Sequence, residues 1–278
     1  MKHLYNPQLM HLMINFFRAG AAALCCAALV ACQPSAEERL ARAEALAGQG
    51  DYDTAMIELK NVLRDEPGNA TARRLLAKSA FQVADFRTAE IENQRLLAAL
   101  GDDRQAWTGL GNALLRQGRA DEVLANVYPQ IEGAVDDEDA QVLAGDTMAQ
   151  LGNRAAAAQH YQAALAVDAN SDAALCGLVG LAIAERDAEA AVLTLREALA
   201  RNPDSPAPWR LKATLEQMRG EYAAAAASLG RAIENENPHT TYADQFITRL
   251  NRAVLQLESE DLDGARAQIR DLETNYAA

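Results

Sequence analysis

The residues after position 35 repeat with a constant period of 34, and this regularity restricts the fold more than any other feature of the chain. The first positions of six successive units are Ala36, Ala70, Arg104, Glu138, Asp172 and Pro206, without an insertion up to His239. Position 20 is held by Ala55, Ala89, Val123, Ala157, Ala191 and Ala225. Position 28 is held by Leu63, Leu97, Ile131, Leu165, Leu199 and Ile233. A period of roughly 20 to 50 residues indicates stacked units that bury their apolar faces against one another.

Within each unit the pattern is that of two antiparallel helices. Position 15, where the chain would turn, is held by Gly50, Ala84, Gly118, Gly152, Arg186 and Gly220. Small residues at positions 8 and 20 let the two helices approach closely, and aliphatic pairs such as Leu59 and Leu63 share one helix face. Pro67 and Pro203 stand where a second helix would stop. Because only 5% of the residues are aromatic and Ala dominates long stretches, the composition also favours an all-α fold over a β-sandwich or barrel.

This pattern resembles the tetratricopeptide repeat. The resemblance implies a right-handed α-solenoid of helix hairpins, whose first helices line a concave groove through positions 2, 5, 9, 12 and 13. Residues 36–239 would form six repeats in frame. A shift of six residues then recovers a seventh, offset repeat in residues 240–278, which starts at Phe246 and places Ala253, Ala265 and Ile269 at positions 8, 20 and 24. We expect this last repeat to be uncapped, so that either further repeats or a partner would cover it.

The N-terminal residues have the features of a secretory signal. Arg18 precedes an uncharged run, residues 19–31, which is shorter than the roughly 20 apolar residues of a membrane-spanning helix. The run ends in Leu29-Val30-Ala31-Cys32, which resembles a bacterial lipobox. We therefore predict a lipoprotein signal peptide in residues 1–31, followed in residues 32–35 by a lipidated Cys32 and a short tether.

The residue after Cys32 is Gln33 rather than Asp, which by resemblance to other lipoproteins implies sorting to the periplasmic face of the outer membrane. A plain signal peptide cleaved elsewhere and an N-terminal anchor are the alternatives. The start codon is Met1, Met10 or Met13, because the later two would give a more usual signal length.

The sequence predicts neither an enzyme nor a cofactor or metal site. After the signal, His160 and His239 are the only histidines, and neither belongs to a metal or nucleophile motif. The glycines of Gly109-Leu110-Gly111 fall within a first helix and follow no strand, which disfavours a dinucleotide loop. Beyond residue 31 the chain carries 24 basic and 39 acidic side chains, a net charge of −15 that disfavours nucleic-acid binding. The one remaining thiol, Cys176, is predicted to be a buried small hydrophobe.

We therefore expect function in the concave groove, where a protein or peptide would bind. Repeat two contributes Arg74, Lys78 and Gln82 to the groove positions, and repeat three contributes Asn112 and Arg116. In peptide-binding tetratricopeptide domains such cations hold a carboxylate or an acidic peptide, although ordinary solvated helix charge is the alternative. The co-chaperone clamp is not reproduced, because Leu40 and Glu44 stand where that group has Lys and Asn. Repeat five offers the apolar Cys176 and Ile183, which would suit a hydrophobic side chain or a partner helix.

Three segments, together with the lipobox directly before repeat one, resemble the N-terminal part of the tetratricopeptide lipoproteins of the exosortase/PEP-CTERM system, the PrsT-like proteins. They are Gly50-Asp51-Tyr52, Ile57-Glu58-Leu59-Lys60-Asn61-Val62-Leu63 and Leu114-Leu115-Arg116-Gln117-Gly118. The resemblance implies a non-catalytic envelope scaffold linked to exopolysaccharide production and exosortase-dependent protein sorting. Envelope polysaccharide and the sorting machinery would then be partners. The alternatives are a pilotin-like lipoprotein for pilus or secretin assembly and an adaptor for cell-wall enzymes.

Overall fold

The structure, a computed structural model, describes residues 34–236 and 242–276, and all regular elements in these ranges are helices. The predicted signal peptide, Cys32 and His239 lie outside the described residues. The first helices of six hairpins are α1 (Ala36–Gly48), α3 (Ala70–Gln82), α5 (Arg104–Arg116), α8 (Glu138–Gln150), α10 (Asp172–Ala184) and α12 (Pro206–Met218). Their second helices are α2 (Tyr52–Asp65), α4 (Phe86–Leu100), the short α6 (Ala120–Glu122) and α7 (Tyr128–Ile131), α9 (Arg154–Val167), α11 (Ala188–Arg201) and α13 (Tyr222–Glu234). A last hairpin joins α14 (Tyr242–Glu258) to α15 (Leu262–Asn275), and the prediction of an all-α solenoid is confirmed.

Each of the six first helices begins at the residue that the period marks as position 1, and local capping explains why. The residue before the helix accepts a hydrogen bond from a backbone N–H of the first turn at Ser35, Asn69, Asp103, Asp137 and Ser171. At Ser35 the bonds are reciprocal: Glu38 N donates to Ser35 Oγ at 3.1 Å, and Ser35 N donates to the Glu38 carboxylate at 2.8 Å. These side chains satisfy helix-end donors that have no partner within the helix.

The turn inside each hairpin has a left-handed residue at position 15. Gly50, Gly118, Gly152 and Gly220 have φ angles of 83°, 73°, 79° and 76°. Ala84 and Arg186 adopt the same conformation, with φ angles of 62° and 61°. A left-handed backbone costs a residue with a Cβ atom about 1–2 kcal/mol. Packing of the stacked hairpins therefore imposes the turn geometry even where the sequence does not supply glycine.

The third hairpin departs from the others in its second helix. Between α6 and α7 the backbone widens into a π-helical segment, Val123–Val127. Pro129 follows directly after the first residue of α7 and has no N–H to donate to a carbonyl one turn earlier, which favours such a local widening. Position 20 of this unit is Val123 rather than Ala, and Val123 and Val127 are nevertheless fully buried.

Close helix contact in the middle of the solenoid depends on small residues. Tyr161 on α9 is among the largest fully buried side chains and is only 2% exposed. Its ring lies against Gly145 on α8 and Gly177 on α10, and a Cβ atom added at either glycine would overlap the ring. An aromatic side chain therefore fills the space between two consecutive first helices because both helices lack a side chain at the contact.

The last hairpin keeps the predicted offset but begins earlier than expected. The sequence places position 1 at Phe246, whereas α14 already begins at Tyr242 and is 17 residues long. Its end at Glu258 and the left-handed residue Glu260, with φ 62°, agree with the predicted register. Ile269, at position 24, is 41% exposed instead of buried, because no helix follows it within the described residues.

Candidate functional site

Arg74 of α3, the first predicted groove cation, is held within the protein. Its guanidinium donates to both carboxylate oxygens of Asp103, at 2.6 Å and 3.2 Å. Asp103 is also the cap of α5 and accepts a hydrogen bond from Ala106 N at 3.1 Å. The hydrogen bond from Arg74 lowers the pKa of Asp103, so the carboxylate stays ionised. This pair links repeat two to repeat three and leaves less of Arg74 for a ligand than the sequence suggested.

Lys78 lies one turn further along α3 and keeps its charge available. The side chain is exposed and forms no ion pair with any described residue. It lies at an open recess of about 200 Å³ that is lined by Glu44, Ala47, Gly48, Tyr52, Leu75 and Lys78. The floor is apolar and the rim carries one acid and one cation. A ligand that places an apolar side chain in the recess and a carboxylate near Lys78 would match this arrangement.

Gln82 and Asn112, the two predicted amides, line the same surface. Gln82 is partly buried, and its Oε1 atom has no hydrogen-bond partner among the described residues. Asn112 is also partly buried, and its side chain forms no hydrogen bond with the rest of the described chain. The buried Gln82 Oε1 atom is out of reach of a ligand, whereas the partly exposed amide of Asn112 is suited to contact a peptide backbone.

Arg116, the third predicted cation, lies at the C-terminal end of α5 and contacts three side chains. Its guanidinium carbon is 5.1 Å from the ring centre of Phe86 and 5.9 Å from that of Phe81. A guanidinium nitrogen lies 3.7 Å from Asp244 Oδ1 on α14, four repeats later in the sequence. This contact joins a side chain of the third hairpin to one of the last hairpin. The three groove cations differ in their partners: Arg74 is paired with Asp103, the exposed Arg116 lies beside Asp244 and two aromatic rings, and the exposed Lys78 forms no ion pair with a described residue.

The predicted apolar part of the groove is present on α10. Cys176 and Ile183 are both partly buried there. Burial raises the pKa of the Cys176 thiol to about 12; the nearby Asp172 raises it further and Arg210 opposes both effects. The thiol is therefore un-ionised at neutral pH, which agrees with the behaviour expected of a small hydrophobe.

Two charged groove residues were missed by the sequence reading. Asp146, at position 9 of repeat four, accepts a hydrogen bond from the Tyr161 hydroxyl at 2.6 Å. Burial raises the pKa of Asp146, and the hydrogen bond opposes this rise. Arg210, at position 5 of repeat six, has a buried Nη1 atom without a partner among the described residues. Both occupy groove positions of the period, so the same rule that selected Arg74 and Lys78 would have found them.

Within residues 34–236 and 242–276, no three His, Cys, Asp or Glu side chains form a group that could hold a metal ion. None of the helices in these ranges combines the length and the apolar character that crossing a bilayer requires.

Comparison with known proteins places these hairpins in a family. The model of the tetratricopeptide repeat family matches residues 46–110 and 148–215. A tetratricopeptide repeat protein from Parabacteroides merdae ATCC 43184 has a similar structure, with a TM-score of 0.59 and 19% identity over 87% of this chain and 94% of its own. The Cut9–Hcn1 hetero-tetramer of the APC/C also matches, with a TM-score of 0.59 and 15% identity over 85% of this chain and 46% of that chain.

No curated protein matches the chain significantly in sequence. At these identities the two solved structures show the fold alone. The repeat match, the constant period and the stacked hairpins agree: the chain has the fold of a tetratricopeptide-repeat solenoid, and about half of it matches the model of that family.

Proposed function

We propose that this protein is a non-catalytic scaffold of the bacterial envelope that binds a protein or peptide segment in its concave groove. The observation that carries the proposal is the groove itself, in which Lys78 is exposed beside an apolar recess and the side chain of Asn112 forms no hydrogen bond with the described residues. Other charged groove residues have partners within the protein: Arg74 pairs with Asp103, and Asp146 accepts a hydrogen bond from Tyr161. A site of this composition suits an extended acidic peptide with an apolar side chain.

The proposed location rests on residues outside the described part. We propose that Cys32 carries lipid and anchors the protein to the periplasmic face of the outer membrane. Three acyl chains make such anchoring stable, whereas a single chain gives only marginal binding. Because the capping Ser35 stands three residues after Cys32, the solenoid would lie close to the membrane surface.

Labelled palmitate tests the anchor. The wild-type protein should incorporate the label, Cys32→Ser should not, and Cys176→Ser should retain full incorporation as the matched control. Equal incorporation in wild type and Cys32→Ser would remove the lipid anchor from the proposal while leaving the groove intact.

The groove is tested most cleanly at Lys78. Changing Arg74 to an acid would repel Asp103 and disturb the cap of α5, whereas Lys78→Glu breaks no ion pair among the described residues. A fluorescent acidic peptide with a C-terminal carboxylate should bind wild type and lose about tenfold in affinity with Lys78→Glu. Lys60→Glu, an exposed lysine on α2, is the control and should bind like wild type. Equal binding by all three proteins would indicate that Lys78 is an ordinary solvent-exposed charge on its helix and not part of a binding site.

The finer role is linked by resemblance to exopolysaccharide production and exosortase-dependent sorting. A pull-down from detergent-solubilised envelope with wild type and Lys78→Glu identifies the partner. Export or sorting components captured by wild type alone would support this role. Capture of a secretin instead would support a role in pilus assembly, and capture of cell-wall enzymes would support a role in cell-wall synthesis.

A further inference from the structure

The last hairpin carries an apolar stripe that nothing in the described chain covers. Its members are Ile247, Leu250, Val254 and Leu257 on α14, with exposed fractions of 51%, 43%, 45% and 49%. Their spacing of three, four and three residues places all four on one side of the helix, over a length of about 15 Å. This is the spacing by which one helix presents a seam to another helix, so the shape of the stripe selects an α-helical occupant.

The opposite side of α14 holds the stripe in place. Arg249 pairs with Glu236 at 2.5 Å and with Asp271 on α15 at 3.1 Å, and its side chain is 15% exposed. Arg252 donates to Gln268 on α15 at 3.2 Å. The stripe is therefore presented by a helix that is anchored to both neighbours, and little ordering of the protein is needed when a partner docks.

Charge distinguishes the two ends of the stripe. Immediately after Leu257 the turn into α15 carries four exposed acids, Glu258, Glu260, Asp261 and Asp263, and Arg266 is the one cation paired within this group, with Asp263 at 3.5 Å. The C-terminal end of α14 adds the partial negative charge of its last carbonyl groups. The end near Asp244 has the cation Arg116 beside it. The favoured occupant is thus basic at the end that lies over the acidic turn.

We propose that the last hairpin binds an amphipathic helix of a protein partner, antiparallel to α14, with its apolar face on the stripe and its basic N-terminal end over the acidic turn. A second copy of this chain offers less to the acidic turn than a basic helix does. In an antiparallel pair of α14 helices the turn would face only Arg116, whose charge is already 3.7 Å from the acid Asp244. The four residues of the stripe hold groove positions 2, 5, 9 and 12 of the last repeat, so this proposal rests on the proposed binding function of the groove. Its residues differ from those of the site at Lys78, so the two sites can fail separately.

Two synthetic helical peptides of about 18 residues test the proposal. Both carry leucines at the spacing of the stripe, and they differ only in an N-terminal turn of four Lys or four Glu. Fluorescence anisotropy with the full protein should show the Lys peptide binding at least about tenfold more tightly than the Glu peptide. The double variant L250Q/V254Q should lose at least about tenfold in affinity for the Lys peptide. Ile57→Gln and Leu193→Gln, at similarly exposed apolar residues on α2 and α11, should bind like wild type.

A second variant keeps the test decisive if the stripe variant does not fold. E258K/D263K brings the four acids of the turn to two acids and two lysines without touching the stripe, and it should lose most of the preference for the Lys peptide. Unchanged preference in this variant, or unchanged binding in L250Q/V254Q, would overturn the proposal. So would a stable wild-type dimer in sedimentation that L250Q/V254Q abolishes, because a second copy would then be the occupant.

Discussion

The central repeats and the last hairpin share one register but differ in what covers their second helices. In the centre, Tyr161 holds position 24 of its repeat between α8 and α10 and is 2% exposed. In the last hairpin the equivalent position 24 is Ile269 on α15, which is 41% exposed, and half of the large exposed apolar side chains of the described chain lie on α14 and α15. In a solenoid each repeat is covered only by its neighbours, so the same pattern is core in one place and binding surface in another.

The groove repeats this contrast on a smaller scale. Toward the N-terminal end the groove carries charged side chains, of which Arg74 is paired with Asp103 and Lys78 forms no ion pair with a described residue. Toward the C-terminal end several groove positions on α10 and α14 are apolar, and those on α14 are exposed. The solenoid therefore offers a polar site and an apolar site on one continuous surface.

Hydrogen exchange should show the largest difference between the two regions. The last hairpin has a stabilising neighbour on one side only, so its amides, residues 246–276, should exchange roughly 100-fold faster than those of residues 104–202. The measurement is made on the full chain at a concentration where it is monomeric. Saturation with the Lys peptide should slow exchange in the last hairpin alone. Equal protection of both regions in the free monomer would contradict the comparison.

The central contact should be intolerant of added volume. Gly177→Ala adds a methyl group that overlaps the Tyr161 ring, so we expect a loss of about 1–3 kcal/mol in the free energy of unfolding. Gly180→Ala, three residues later on α10, meets no atom within 4 Å and should instead gain up to about 1 kcal/mol from helix propensity. Thermal unfolding of the two variants compares them directly. If both variants raise the melting temperature, the Tyr161 ring does not require a glycine at Gly177.

Stability should depend on pH through Asp146. Burial raises its folded pKa above the ordinary value, so the stabilisation from the bound proton is complete below the unfolded pKa and is lost as the pH rises through the folded pKa. Asp146→Asn keeps an acceptor for the Tyr161 hydroxyl and removes the titration. Relative to wild type, it should be more stabilising at pH 7 than at pH 4, measured by urea unfolding. Asp139→Asn, an exposed acid on α8, is the control, and an equal change at both pH values in Asp146→Asn would contradict the assignment.

Glycine substitutions at the left-handed turns should have the smallest effects on stability. They should again distinguish the central repeats from the last hairpin. Arg186→Gly and Glu260→Gly each relieve a residue with φ near 60°, and each should stabilise its turn by about 0.5–1 kcal/mol. Arg186→Gly should raise the overall melting temperature, whereas Glu260→Gly should increase exchange protection in the last hairpin alone. Gly152→Ala, the reverse change, should destabilise. A global effect of Glu260→Gly would mean that the last hairpin unfolds together with the centre.

Helix positions followed from the sequence because their causes are local. Capping side chains such as Ser35 and Asp103, and the turn at position 15, act within a few residues of where they stand. These local signals recur every 34 residues, so the first helices begin where the repeat places them. The period also selected the surface that carries the groove. The period did not predict the start of α14, which begins at Tyr242 and not at Phe246, after the break in the 34-residue frame.

Which groove residues are available was decided by the tertiary structure. Arg74, Lys78 and Arg116 look alike in the sequence, but Arg74 is paired with Asp103 at the end of its own repeat, Arg116 lies beside Asp244 four repeats later, and Lys78 has no ion pair with a described residue. The period places the stripe on α14 at groove positions, but only the stacked structure shows that these apolar side chains stay exposed. Secondary structure depends on contacts within a few residues, whereas exposure and charge pairing depend on stacking over the whole array, which no single repeat encodes.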